Sequence, residues 1–281
     1  MQRKSNTTGK KNFVITLLIF TGVFIVSAQN KVKVLDTQPF SIGKSITIHS
    51  NVLNEDRVLN IYLPNGYNTS EKEYPVIYLL DGSANEDFIH VSGLVQFGSF
   101  SWINMLPESI VVGIANVDRK RDFTYPSTNK LDQEEFPTSG GSKKFIEFIE
   151  TELLGLINQN FKVSKEKTII GQSLGGLLAS EILLKKPILF DNYIIVSPSV
   201  WWDNTSILKW EVKKDLANKK IYVAVGVEGP AMQTGATNLY YKLLEAYKDD
   251  KAVIFNFLEE QNHGDALHLA LYDAFSKFFK P

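Results

Sequence analysis

The pentapeptide Gly171-Gln172-Ser173-Leu174-Gly175 sets a serine two residues from a glycine on either side. The β-branched pair Ile169 and Ile170 precedes it, and a Leu/Ala-rich segment with helical spacing, Leu174–Lys185, follows. A serine on such a strand-to-helix turn is a nucleophile elbow. The tight turn lifts the hydroxyl clear of the sheet, and bulky side chains two residues away would collide with the neighbouring backbone. The turn also aims the N–H of Leu174 and the start of a helix at the point where an oxyanion would form. The implied chemistry is acyl transfer with Ser173 as nucleophile.

A serine hydroxyl needs a base to take its proton, and the base needs an orienting acid. On a strand–turn–helix nucleophile the chain order is serine, acid, histidine. Two histidines follow Ser173. His268 lies inside a helical pattern, where packing is its ordinary role. His263 sits in a loop, Gln261-Asn262-His263-Gly264, and is the expected base. Three carboxylates are candidates for the acid. Glu228 follows the apolar run Ile221–Val225 and is preferred; Asp203 follows the preceding run; Asp265, two residues from the histidine, reads as the cap of the next helix. A serine–histidine pair without an acid also stays open. The second oxyanion donor is expected in the loop after Leu80, at the amide of Gly82 or Ser83.

Two further groups have side chains suited to substrate. Arg119, Lys120 and Arg121 follow the apolar run Ser109–Ala115. Such a cluster favours an anionic acyl group if it is free, and none if its arginines pair with Asp118 or Asp122. Trp201 and Trp202 follow Ser197-Pro198-Ser199, and one indole is expected to pack while the other lines a pocket for an aromatic or sugar-like group.

The elements that must hold these residues are read from periodicity. Residues 45–50 and 57–64 alternate apolar and polar side chains, as a half-exposed antiparallel pair does. The runs 75–80, 109–115, 167–170, 193–196, 221–225 and 253–258 are continuously apolar, as parallel strands buried on both faces are. Helical stripes fall at 142–160, 174–185, 236–247 and 266–279. The pattern predicts a single α/β domain: a mostly parallel central sheet of about eight strands with helices on both faces. Ligands of such sheets bind at the carboxyl ends of the strands, where the loops carrying Ser173, Glu228 and His263 lie.

The chain has 281 residues, with 44% hydrophobic and 22% charged side chains, and no cysteine. Zero cysteine excludes disulfide scaffolds, thiolate metal sites and a thiol nucleophile. With 30 basic and 31 acidic residues, there is no basic excess to suggest nucleic acid as the partner. Residues 1–12 hold Arg3, Lys4, Lys10 and Lys11 and no acid; an apolar run, Phe13–Val26, and Ser27-Ala28 follow. These are the three parts of a signal peptide, expected to be cut after Ala28 and to leave a domain over 29–281 in the periplasm or medium with no stable membrane anchor. Its removal takes four basic groups and turns a net charge of −1 into −5.

The segments YPVIYLLDG (74–82), VDRKRDFTYPST (117–128), IIGQSLGGL (169–177), FDNYIIVSPSVWW (190–202), VAVGVE (223–228) and NHGDALHLALYDAF (262–275) together resemble the Putative esterase branch of the α/β-hydrolases, which includes trilactone siderophore esterases and esterase D-like enzymes. The resemblance implies an α/β-hydrolase fold, hydrolysis of carboxylic esters, and no metal or organic cofactor. It carries the nucleophile to Ser173 and the base to His263, and puts Glu228 where many members have the acid. Two departures stand out: Tyr125 precedes Pro126, and Asp265-Ala266 follows His263-Gly264. The expected activity is that of an exported serine esterase of siderophore-trilactone type. A carbohydrate esterase, an acyltransferase and a binding protein on the same scaffold are the alternatives.

Overall fold

Aliphatic runs too short for helices but long enough to cross a domain become the strands of one buried sheet. The computed structural model describes residues 32–213 and 219–280. Residues 32–40 hold neither helix nor strand, and the proposed signal peptide lies outside the described residues. The unit that begins at Ser41 contains all of the helices and strands found among the described residues.

Its strands are β1 (Lys44–Ser50), β2 (Glu55–Tyr62), β3 (Tyr74–Leu79), β4 (Ile110–Ile114), β5 (Val163–Gln172), β6 (Asn192–Val196), β7 (Lys220–Gly226) and β8 (Val253–Leu258). They form one eight-stranded sheet in the order β1-β2-β4-β3-β5-β6-β7-β8. The contacts β1/β2 and β2/β4 are antiparallel and all others parallel. β4 and β6 are buried at every residue, as continuous apolar runs require when both sheet faces are covered.

The helices are α1 (Phe88–Gly98), α2 (Arg119–Phe123), α3 (Lys130–Glu135), α4 (Ser142–Phe148), α5 (Leu154–Asn160), α6 (Leu174–Lys185), α7 (Trp202–Thr205), α8 (Pro230–Tyr247) and α9 (Ala266–Phe279). One face of the sheet packs on Phe88, Val91 and Val95 of α1 and on Leu267, Leu271 and Phe275 of α9. The other packs on Phe145 and Phe148 of α4, Leu177 and Leu183 of α6, and Leu239 and Leu243 of α8.

The single helix expected over 142–160 is two, α4 and α5, joined by a π turn at Ile149–Leu153. The helix expected from 236 starts six residues earlier, because Gly229 at φ 85° and Pro230 at the first helical position provide the start. α1 gave no helical signal: its buried face includes Ser92 and Gly98, and it contains Gly93, so low helix propensity masks the stripe. At the end of β3 the chain passes so close to β4 that a Cβ on Gly82 would stand 2.3 Å from Gly113 Cα. That contact fixes where the loop after β3 begins.

Candidate active site

Strain gathers at the carboxyl ends of three neighbouring strands. Asp81 after β3, Ser173 after β5 and Ser197 after β6 all have positive φ, at 56°, 60° and 46°. Non-glycine residues in this region persist only where surrounding structure holds them, and such residues concentrate at functional sites.

Ser173 is the residue between β5 and α6, at φ 60° and ψ −120°. A Cβ on Gly171 would fall 2.3 Å from the Gly175 carbonyl oxygen, so the turn closes only with glycine there. The Ser173 N–H donates to Val196 O at 3.1 Å, and its carbonyl accepts from Ser199 N–H and Leu177 N–H. Its hydroxyl lies 3.4 Å from Ser199 Oγ, itself buried. Leu174 opens α6, so its N–H has no acceptor within the helix and faces the position an oxyanion would take.

His263 and Glu228 meet across the ends of β7 and β8. The Glu228 carboxylate side chain is 1% exposed, and its Oε2 is 2.5 Å from His263 Nδ1. Its Oε1 accepts the Gly226 N–H at 2.9 Å and the Ser197 hydroxyl. A buried carboxylate needs such donors, and here they leave one oxygen for the imidazole. Gln172 Nε2 donates to the His263 carbonyl at 2.6 Å, which ties the histidine loop to the strand that presents Ser173.

The other carboxylates weighed as the acid are engaged elsewhere. Asp203 accepts from the Thr128 N–H and hydroxyl at 2.7 and 2.8 Å, and from Ser127 Oγ at 3.2 Å. Asp265 precedes α9 but makes no cap bond to it; its carboxylate accepts the Asn262 N–H at 2.7 Å and closes the histidine turn.

A cleft of about 390 Å³ opens over this constellation. Ser173, His263, Gln172 and Arg119 line it together with Asp81, Glu86 and Asp87. Arg119 is held by Asp81 through two bonds, at 2.6 and 2.9 Å, and reaches the Gln172 carbonyl at 3.2 Å. It therefore braces the strand end beside the nucleophile.

The remaining substrate-binding expectations change. Arg121 is not among the cleft's lining residues: it bonds both oxygens of Glu55, at 3.0 and 2.6 Å, and Asp122 at 2.7 Å. These bonds push its guanidinium pKa further up. Asp122 and Glu55 also hold the fully buried Arg57, so α2 is pinned to β2 by charge. Lys120 lies over the Phe136 ring, 4.5 Å from its centroid. The free cationic cluster is absent because each arginine has found a carboxylate.

Neither tryptophan lines the cleft. Trp202 is fully buried, with its indole N–H donated to Tyr125 O at 2.8 Å, and Trp201 packs against Phe136 and Trp202. Tyr125 is in the core with them, its ring 4.5 Å from that of Trp210. The proposed oxyanion amides also separate. Gly82 N–H is consumed by Ile114 O at 3.0 Å, because the chain stays in the β4 ladder beyond β3. Ser83 N–H is aimed outward and donates to Glu86 Oε2 at 3.2 Å.

Residues that escaped the sequence reading are Ser197 and Ser199, which hold Glu228 and Ser173, and Glu86, Asp87 and Asn116. Asn116 donates to Asp81 at 2.7 Å and to Glu86 at 3.2 Å. Among the described residues the Asp87 carboxylate has no hydrogen-bond partner; burial, with the charge of Asp81 nearby, pushes its pKa up. The small polar residues flanking Pro198, directly after an apolar strand, were the one available signal for the serine pair.

The arrangement supplies a strained serine, a histidine oriented by a buried carboxylate, and beside the serine an amide at the open start of α6: parts of an acyl-transfer site. Known proteins resemble the chain along most of its length. The family model described as Putative esterase matches residues 50–263. Ferri-bacillibactin esterase BesA of Bacillus subtilis is 35% identical over 170 residues, 56% of this chain and 58% of that protein, so the match spans little more than half of BesA. The crystal structure of BES protein from Bacillus cereus is 28% identical with a TM-score of 0.74, covering 89% of this chain and 99% of the other. An IroE-like serine hydrolase from Shewanella oneidensis, also 28% identical with a TM-score of 0.74, covers 85% of this chain and 80% of its own.

Proposed function

The chain belongs to the Putative esterase family, and from that membership we propose that it is a carboxylic ester hydrolase working through Ser173, His263 and Glu228 on a small ester of siderophore-trilactone type. One observation carries the mechanism: the buried Glu228 carboxylate is bonded to His263 Nδ1 in the cleft that Ser173 lines. Glu228 keeps the proton of the imidazole on Nδ1 and leaves Nε2 as the base. His263 takes the Ser173 proton as Oγ attacks the ester carbonyl. The oxyanion rests on the amides of Leu174 and Ser83, with the carbonyl oxygen taking the place of Glu86 on Ser83. Collapse expels the alkoxide, which receives the proton from His263. Water, deprotonated by His263, then attacks the acyl-enzyme and releases the acid.

The trilactone substrate class rests on the relatives, since BesA is named a ferri-bacillibactin esterase. A fluorophosphonate is expected to label Ser173, and among trilactones, feruloyl and acetyl sugars and p-nitrophenyl esters the trilactones are expected to be cleaved fastest. Absence of label would leave a binding protein, and faster cleavage of the sugar esters a carbohydrate esterase. Transfer to an added alcohol in preference to water would make the protein an acyltransferase.

Export belongs to the same proposal and is supported by the basic start, the apolar run Phe13–Val26 and Ser27-Ala28. Mass spectrometry of the protein collected outside the inner membrane is expected to find a chain beginning at Gln29. A chain still beginning at Met1 would overturn the cleavage.

A further inference from the structure

The charge lining the cleft is opposite to the one the run Arg119–Arg121 suggests. Arg119 is neutralised by Asp81, and Arg121 by Glu55 and Asp122. What remains in the cleft is carboxylate: Glu86, bonded to the amides of Ser83 and Asn116, and Asp87, with no hydrogen-bond partner among the described residues. Glu86 is placed to matter most. It lines the cleft with Ser173 and His263, and its Oε2 sits on the Ser83 N–H at 3.2 Å, the donor assigned to the oxyanion in the reading above. An ester carbonyl therefore arrives within a few ångströms of this carboxylate, well inside the roughly 10 Å over which charge acts at ordinary salt.

Resting on the hydrolase reading above, we propose that Glu86 is a specificity-determining residue that selects against esters carrying an anionic group on the acyl chain and favours cationic or neutral ones. Glu86 is exposed, so it can leave Ser83 without unfolding anything, but its charge stays at the cleft wall through its neighbour Asn116. Asp87 adds a second carboxylate to the cleft lining at the start of α1, where burial first, and then the charge of Asp81, push its pKa up. A substrate anion roughly 7 Å from Glu86, with solvent partly screening the two, is slowed by about tenfold.

Three esters with one leaving group and six-carbon acyl chains isolate the effect: p-nitrophenyl hexanoate, mono-p-nitrophenyl adipate and p-nitrophenyl 6-aminohexanoate. The native protein is expected to show kcat/KM in the order amino, neutral, anionic, with the adipate about tenfold below the hexanoate. Glu86→Gln keeps an acceptor for the Ser83 amide and removes only the charge. It is expected to raise the adipate-to-hexanoate ratio by about fivefold or more, and Glu86→Lys to reverse the order. Raising the salt from about 0.05 to about 0.5 M should shrink the ratio difference in the native protein, and shrink it less in Glu86→Gln, where Asp87 is the carboxylate that remains. A native adipate rate equal to or above the hexanoate rate, or a ratio that Glu86→Gln does not move, would overturn the proposal. The hexanoate tests the hydrolase reading separately. If it is not cleaved, both readings fall; if it is cleaved and the ratio does not move, only the charge selection falls.

Discussion

Replacing Ser173 with alanine lowers kcat by about 10⁵- to 10⁶-fold, because the acyl-enzyme can no longer form and only binding and the oxyanion donors remain. The side chain's loss should be nearly silent in stability. Ser173 holds its turn through backbone groups, the N–H to Val196 O and the carbonyl from Ser199 and Leu177 N–H, all of which alanine keeps. The residue is already at φ 60°, and alanine meets the same strain. Single-turnover assays and a thermal melt on the same preparation check both halves: turnover gone, fluorophosphonate label gone, melting temperature within a few degrees. Retention of more than a few per cent of activity by a folded Ser173→Ala protein sinks the nucleophile assignment.

Glu228→Gln is expected to lower kcat by about 10³- to 10⁴-fold with little change in KM. The argument is one of protons. Oε1 of residue 228 accepts from Ser197 and Gly226, so the carbonyl oxygen of glutamine takes that position and its NH₂ turns toward His263. Facing a donor, Nδ1 must be the unprotonated nitrogen, which leaves the proton on Nε2, where the base is needed. The hydrogen bond survives and the catalytic tautomer does not. Glu228→Ala removes this wrong partner as well, so its loss of rate is expected to be smaller than that of the isosteric variant. That inverted order distinguishes a tautomer effect from simple loss of packing. If Glu228→Gln keeps more than about a third of native kcat, the site works as a serine–histidine pair and the carboxylate is only a brace.

Ser197 and Ser199 give the loop after β6 a part in both halves of the site. One hydroxyl holds the acid and the other stands beside the nucleophile, with a single proline between them. Ser197 itself is at φ 46°. Neither serine could be singled out in advance, since two serines around a proline read as a turn and their partners lie 31 and 26 residues away.

The strands were legible because burial on both faces demands continuous apolar runs, α9 because its stripe is long, and α6 because a Leu/Ala-rich run of 12 residues is too long for a strand. α1 was not, because a helix with Gly93, Gly98 and Ser92 on it owes its existence to the sheet it covers rather than to propensity. Ser173 stood out because an elbow is specified by residues within two positions of it. His263 and Glu228 stood out because a parallel sheet brings the ends of its last strands together.

What the sequence determines about this protein is therefore local or periodic: the elbow, the strand runs, the serine–acid–histidine order, and the absence of any thiol. Tertiary structure alone decided which charges are spent. Arg121 finds Glu55 from 66 residues away and Arg119 finds Asp81 from 38, so a stretch that reads as a basic cluster lies beside an acidic cleft. Tertiary structure also put Gly82 N–H into the β4 ladder, by carrying the chain one step further along β4, and left Ser83 N–H to a side chain, Glu86. The reason is physical. Backbone conformation answers to neighbours in the chain, whereas the partner of a charge or an amide is whatever group the folded sheet brings within 3 Å.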